Sequence, residues 1–247
     1  MGNLPREIIT PSSPFTHVGI DFTGPFYIKY KGQRKGIYHK CYVANFICFI
    51  TKSIHIEVVT ELTTEAMIAT LKRFFSRRGK SNSICTDNAT NFISASRELL
   101  QRLYNLIKYP PDILANYLTN EEITWKFIPP RSPNFGGLWE AGVKSFKHHF
   151  KRTVGDARLT LEQFITNTTQ IESILNSRPL TPMSSDPNDF AVLTPGHFLR
   201  GRPLQSLSEP DMTDKLDNRL SQLPKLTKFV QFIWRKWRLD YLKKFTG

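Results

Sequence analysis

Three acidic residues of the chain occur in contexts that suit metal-dependent chemistry. Asp21 lies in Val-Gly-Ile-Asp-Phe, Asp87 lies in Thr-Asp-Asn, and Glu140 follows Asn-Phe-Gly-Gly-Leu-Trp. Carboxylate oxygens are ligands that Mg²⁺ and Mn²⁺ prefer. Two such ions about 3.5–4 Å apart stabilise both the attacking and the leaving oxygen of a phosphodiester displacement. The three acids therefore indicate a metal-dependent enzyme that acts on nucleic acid.

Each acid also has a purely structural explanation. Asp21 lies near a Gly-Pro turn and could be a turn former, and Asp87 could cap a following helix. Glu140 could pair with Lys144 one helical turn later. Independent structural roles do not require one acid within a strand, one at a strand end and one on a helix, whereas a two-metal site does. We therefore favour the catalytic interpretation.

The composition narrows the class of protein further. With 247 residues and 40% hydrophobic residues, the chain is long and apolar enough for one sizeable globular domain plus an extension. Its net charge of +13 predicts a polyanionic partner, because neutralising phosphates releases counterions. Membrane surfaces also attract basic proteins, but the position of the charge favours nucleic acid, since several basic clusters flank the acids. These clusters are Lys29–Lys40, Lys72–Lys80, Lys144–Arg152 and Arg235–Lys244.

Other features of the sequence indicate where in the cell the protein is expected. No apolar run reaches the roughly 18–20 residues that a membrane helix needs, and the N-terminus lacks the apolar core of a signal peptide. We therefore expect an intracellular protein without a membrane partner. Cys41, Cys48 and Cys85 all lie in apolar segments without a Cys-x-x-Cys pair. They are predicted to be core thiols in a reducing compartment.

The elements that would position the acids follow from hydrophobic periodicity. Alternation predicts an antiparallel meander of three strands, with Asp21 in the first. A helical period then begins after a capping Thr63 and stops at Gly79, and the acid Asp87 follows a short strand. Strands followed by mixed helices and strands indicate an α/β fold with a mixed sheet. The predicted strands are 15–22, 38–50, 53–60, 83–86 and 123–128, and 26–28 is a candidate continuation of the first of them. The further predicted helices are 93–104, one opening at Glu140, and one from Thr160 to Pro179.

In two of these helices the sequence predicts which residues share a face. In the helix opening at Glu140, apolar residues including Phe150 form one face, while Lys144, Lys147 and Lys151 follow Glu140 on an adjoining face. In the later helix, Thr160 and Gln163 form a capping box. Its buried side is predicted to comprise Ile165, Ile171 and Leu175.

We divide the chain into three parts. Residues 1–14 form a leader without periodicity, residues 15–182 form the core domain, and residues 183–247 form a partly irregular basic extension. Within the extension, 181–220 is predicted to be loop-like and 221–245 to be a basic helix containing tryptophan. This helix either packs on the core or belongs to a further domain.

Four segments occur in an order that points to one family. They are Gly19–Pro25 around Asp21, Thr86–Phe92 around Asp87, Ser132–Glu140, and Asn176–Leu180. Together they resemble the catalytic core of retroviral-type integrases. The resemblance implies an RNase H-like fold, a mixed five-stranded sheet flanked by helices. It also implies that Asp21, Asp87 and Glu140 bind two Mg²⁺ (or Mn²⁺) ions and are the catalytic residues.

The same resemblance implies DNA as the partner. Lys144 and Lys147 match the helix positions that contact DNA ends, and Lys151 continues their face. Asn88 and Asn134 are further candidates for contact with DNA. The implied activity is 3′ end processing followed by DNA strand transfer, performed in the nucleus by a homo-oligomer.

More narrowly, Asn134–Ala141 and Leu193–Leu199 resemble integrases of BEL/Pao-type LTR retrotransposons. Two departures accompany the match. The 52 residues between Asp87 and Glu140 exceed the common spacing, and we predict a surface insertion within Arg102–Asn120. Ala89 replaces the usual glycine after Asp-Asn, which would strain the backbone if φ is positive there.

Two alternatives stay open. One is a ribonuclease H or other nuclease that hydrolyses nucleic acid without joining it. The other is a catalytically inactive or domesticated nucleic-acid-binding module. The chain contains no paired His/Cys set of the kind that binds zinc upstream of such cores, so we expect a polyprotein fragment or a domesticated copy.

Overall fold

The structure is a computed structural model. It describes residues 9–30, 37–86, 105, 108–127, 150, 159–186, 191–204, 209–216, 224, 227–228, 230–232 and 234–235. The predicted turn at 31–36 and the predicted helices at 93–104 and from Glu140 fall outside these residues, apart from Phe150, which is helical.

The secondary structure alternates in the way the sequence predicts. In chain order the elements are β1 His17–Ile28, β2 His39–Cys48, β3 Ile54–Val59, α1 Thr64–Arg78, β4 Ser83–Thr86, α2 Asp112–Asn120, β5 Thr124–Phe127, α3 Leu161–Asn176, β6 Thr181–Pro182, β7 Val192–Leu193 and α4 Pro195–Arg200. None of these helices is both long and apolar enough to cross a membrane.

Five strands form a mixed sheet in the order β3-β2-β1-β4-β5. Strands β1, β2 and β3 pair antiparallel as a meander, and β4 and β5 extend the sheet parallel to β1. The parallel step from the meander to β4 runs through α1, as parallel neighbours require a crossover connection. The predicted α/β class and mixed sheet are confirmed, and β1 is the central strand.

Each face of the sheet has its own apolar cluster. On one face Ile20 of β1 packs with Phe46 of β2 and with Phe74 of α1, and the two phenylalanine rings stack 4.0 Å apart. On the other face Val43 of β2 packs with residues of α3 that include Ile171. Because side chains alternate along a strand, Asp21 lies on the α3 side of β1.

The helix boundaries follow local capping chemistry. Thr63 accepts a hydrogen bond from the Ala66 amide at the start of α1, and Gly79 ends the helix with φ 86°. At the start of α3, Thr160 and Gln163 form the predicted capping box. All three of these sequence predictions are confirmed.

The prediction that Ile165 is buried is wrong, because its side chain is 45% exposed. The buried face of α3 instead includes Phe164, Asn167, Thr168 and Ile171. Successive helical residues are separated by about 100°, so a face centred on Phe164 and Ile171 turns Ile165 toward solvent. Two polar residues take core positions that hydrophobicity would not assign to them.

The predicted continuation of the first strand at 26–28 is confirmed, because β1 extends to Ile28 with a shift in register between Thr23 and Phe26. Two further expectations need correction. Segment 181–220 is not only loop, since it contains the β6–β7 pair and helix α4. The predicted surface insertion Arg102–Asn120 includes helix α2, which buries Leu114 and Leu118 in the core.

Two other expectations agree with the structure. The thiols of Cys41, Cys48 and Cys85 are free and buried. In the C-terminal extension, the described residues from 224 to 235 are helical, and Val230 and Trp234 pack against the core cluster on the α3 side. The sequence left open whether this helix packs on the core or belongs to a further domain, and the structure shows these two side chains packed on the core.

The outer edge of β3 is covered by side chains from α3 and α1. Asn176 accepts from the Ile54 amide at 2.8 Å and donates to the Ile54 carbonyl at 2.7 Å. Glu172, one turn earlier, accepts from the Ile56 amide at 2.8 Å. Arg73 of α1 donates to the Val58 carbonyl. Side chains thus satisfy backbone groups that an edge strand otherwise exposes.

A buried ionic cluster lies at this edge. The His55 ring contacts Glu57 through Nε2 at 3.0 Å and Glu172 through Nδ1 at 3.2 Å. Arg73 and Arg77 pair with Glu57, and Arg78 pairs with Glu172. Burial alone lowers the pKa of His55, but the hydrogen bonds that its ring donates to Glu172 and Glu57 outweigh this effect, and the net pKa is raised despite the charge of Arg78.

The raised pKa of His55 gives a prediction about stability and pH. Protonated His55 stabilises the folded state fully below its unfolded pKa of about 6.5, and this contribution disappears as pH rises through the folded-state pKa. We therefore expect the free energy of unfolding to decrease over this interval more steeply for the wild type than for His55→Gln. Urea denaturation at a series of pH values measures both slopes. A difference between the two proteins that stays constant with pH would contradict the prediction.

Candidate catalytic site

Asp21 occupies the middle of the central strand. It is half-buried on β1, while its neighbours Ile20 and Phe22 point into the opposite core and are buried. The apolar alternation around it therefore orients one carboxylate to the α3 side of the sheet. The structure places this predicted residue within the central strand of the sheet.

The second predicted acid follows the neighbouring parallel strand in sequence. Strand β4 pairs with β1 so that Thr86 lies beside Ile20. Thr86 is the last described residue of this segment, and Asp87 is the next residue of the chain. In this register the last residue of β4 pairs with Ile20, which directly precedes Asp21 on β1.

The other predicted site residues lie outside the described residues. These are Asp87, Asn88, Asn134, Glu140, Lys144, Lys147 and Lys151. Phe150, predicted on the apolar face of the same helix, is described. It is buried and its ring lies 4.6 Å from Phe26 of β1 and 5.1 Å from Phe164 of α3. This contact confirms the predicted apolar role of Phe150.

Two polar residues near Asp21 were not predicted from the sequence. Asn45 of β2 lies directly opposite Asp21 in the antiparallel ladder, so the two side chains share a face. Asn45 is 1% exposed, and its Nδ2 donates to Thr23 Oγ1 at 3.2 Å. The signal in the sequence is an asparagine within an otherwise apolar strand, but its partner depends on the strand register.

The side-chain oxygen atoms of Asp21 and Asn45 are of the kind that binds a hard divalent cation. Within the described part of the chain, the Asn45 Oδ1 atom is buried and has no hydrogen-bond partner. A carboxylate and an amide oxygen on adjacent strands are ligand types that Mg²⁺ accepts. The described residues alone contain no group of three His, Cys, Asp or Glu side chains that could hold a metal ion. Asp87 and Glu140 are not among these described residues.

One family model matches part of the chain. Residues 11–133, just under half of the chain, match the family described as integrase core domain. The matched segment contains Asp21 and Asp87 and ends before Glu140. No match was found among curated proteins.

One intasome chain of known structure shares the fold, and two solved integrase catalytic cores match with lower TM-scores. A chain of the simian T-cell lymphotropic virus intasome, in complex with PP2A regulatory subunit B56 gamma, has a TM-score of 0.50 and 17% identity, over 85% of this chain and 64% of that one. The HTLV-2 integrase catalytic core domain in complex with magnesium, in its dimeric form, has a TM-score of 0.44 and 19% identity, over 76% and 97%. The BIV integrase catalytic core domain has a TM-score of 0.45 and 14% identity, and the match covers 75% of this chain and 93% of that one.

These comparisons support an integrase catalytic core. The mixed five-stranded sheet flanked by helices is the RNase H-like fold of such cores. At 17% identity the likeness to the intasome chain concerns the fold, and this protein spans 64% of the length of that chain. The predicted fold class is therefore confirmed.

Proposed function

We propose that the chain is a polynucleotidyl transferase, an integrase core that trims the 3′ ends of element DNA and joins them to target DNA. The observation that carries the proposal is the pairing of β1 with β4. It places the strand that holds Asp21 beside the strand that leads to Asp87. The integrase core match over both residues supports the same site.

In this proposal Asp21, Asp87 and Glu140 hold two Mg²⁺ or Mn²⁺ ions. When bound, such ions stabilise the attacking and leaving oxygens of an in-line phosphodiester displacement. Strand β1 fixes the backbone of Asp21, and the side chain of this residue is half-buried. The nucleophile is water in end processing and the trimmed 3′ hydroxyl in strand transfer.

DNA is the proposed partner. Lys144, Lys147 and Lys151 would contact phosphates and so position the DNA, because phosphate contacts carry affinity without reading sequence. Asn88 and Asn134 are proposed as additional contacts. The net charge of +13 supports a polyanionic partner.

We further propose a homo-oligomer that acts in the nucleus on the DNA of a BEL/Pao-type LTR retrotransposon. The motifs Asn134–Ala141 and Leu193–Leu199 support the retrotransposon class. Dimeric and trimeric forms are known for the HTLV-2 core. For this chain, sedimentation of the purified protein measures the oligomer directly.

The test is an assay with labelled DNA and Mg²⁺. We expect the 247-residue chain to remove nucleotides from the 3′ end of a duplex that carries the element terminus, and then to join that end to a second duplex. Hydrolysis of an RNA–DNA hybrid without any joining would select a ribonuclease instead. Salt-dependent DNA binding without turnover under Mg²⁺ or Mn²⁺ would select an inactive binding module.

A further inference from the structure

The Asn45 amide is buried inside the sheet and hydrogen-bonded to a neighbouring strand. Its Nδ2 donates to Thr23 Oγ1 at 3.2 Å, which directs its Oδ1 away from Thr23. This Oδ1 atom is buried and, in the described part of the chain, accepts no hydrogen bond. A buried polar atom without a partner destabilises a protein, so the position calls for a donor or a cation.

The side chains beside Asn45 in the sheet offer no hydrogen-bond donor to its Oδ1 atom. Along its row, Ile56 of β3 lies on one side and Asp21 of β1 on the other. Ile56 has no polar side-chain atom, and an ionised Asp21 only accepts hydrogen bonds. The Cβ atoms of directly opposite residues are about 4.5–5.5 Å apart. A positive charge or a hydrogen donor between the two side chains would stabilise both sets of acceptor oxygens.

We propose that Asn45 is a positioning residue of the metal site. Its Oδ1 accepts a hydrogen bond from a water molecule bound to the divalent cation that Asp21 holds, which orients that water and fixes the ion relative to β1. The inference rests on the proposed function, because it requires a cation at Asp21. It adds a residue from β2 to a site otherwise assigned to the three acids.

The chain offers a matched control for this inference. Asn167 of α3 is also fully buried, and its Oδ1 and Nδ2 have no hydrogen-bond partners within the described residues. It lies on a helix and has no ladder partner, unlike Asn45. Replacing either asparagine by leucine removes a buried amide whose oxygen has no partner among the described residues. Only the replacement of Asn45 removes an acceptor beside Asp21.

The experiment measures Mn²⁺ affinity of the full chain by electron paramagnetic resonance of the free ion, with no DNA present. We expect Asn45→Leu to weaken binding about 10–100-fold, the usual effect of losing a partner that orients a metal ligand. Asn167→Leu should leave the affinity unchanged. Circular dichroism checks the fold of both variants. If Asn45→Leu does not fold, Asn45→Ala is measured instead, with the same expectation.

Equal affinities for wild type and Asn45→Leu would overturn the inference, as would an equal loss in both leucine variants. Asp21→Asn separates this failure from failure of the proposed function. If Asp21→Asn loses Mn²⁺ while Asn45→Leu keeps it, the metal site stands and only the role of Asn45 is wrong. If Asp21→Asn binds Mn²⁺ as tightly as wild type, the proposed site and the role of Asn45 both fall.

Discussion

Asp21→Asn is expected to reduce the rate of Mg²⁺-dependent DNA joining by about 10³-fold or more, the scale seen when one member of a catalytic unit is removed. The substitution keeps the shape of the side chain and removes the negative charge that would bind the cation. Because Asp21 is half-buried on a strand whose apolar neighbours are unchanged, the fold and DNA affinity should be retained. Single-turnover joining of a labelled DNA end measures the rate, and fluorescence anisotropy measures DNA binding.

Asp112→Asn provides the matched control. This acid lies in the first turn of α2 and is exposed. The same loss of one negative charge there should leave joining unchanged. Equal joining by Asp21→Asn and wild type would remove Asp21 from the site, and equal losses in both variants would point to a general effect of charge.

Glu172→Ala is expected to destabilise the protein by about 3 kcal/mol. Removing one partner of a buried ion pair leaves the other charge uncompensated and typically costs about 3–5 kcal/mol. We choose the lower end because the Arg78 side chain is 22% exposed and keeps contact with solvent. The substitution also removes the acceptor of the Ile56 amide and one of the two carboxylate partners of His55. The free energy of unfolding in urea measures the loss.

Glu162 of the same helix is the appropriate comparison for Glu172. It lies in the first turn of α3 and is exposed, so Glu162→Ala should cost less than about 1 kcal/mol. Similar losses for the two alanine variants would show that the ionic cluster contributes little beyond the surface effect of a carboxylate.

Local patterns were sufficient to predict most of the elements near the site. Alternation of apolar residues predicts the β1–β2–β3 meander, and Thr63 and Gly79 mark the ends of α1 because their capping chemistry acts within one turn. Asp21 could be assigned to a strand for the same reason. Its orientation also follows from its neighbours Ile20 and Phe22.

Features that depend on tertiary contacts could not be predicted in this way. Asn45 lies beside Asp21 only through the register of β1 on β2, and neither sequence segment contains that register. The burial of Asn167 and the exposure of Ile165 depend on how α3 is rotated against the sheet. The hydrogen bonds of Asn176 to Ile54 join residues that are 122 positions apart. Such pairings arise from the packed fold rather than from local preference.

The coverage of the β3 edge limits how two copies of the protein can associate. A second chain that tried to lengthen the sheet there would have to displace Asn176, Glu172 and Arg73 from the amide and carbonyl groups they already satisfy. Growth by strand addition is therefore disfavoured on that side. Two copies that associate near β3 must therefore contact each other through side chains. The hydrogen-bonded sheet of one copy does not continue into the other across this edge.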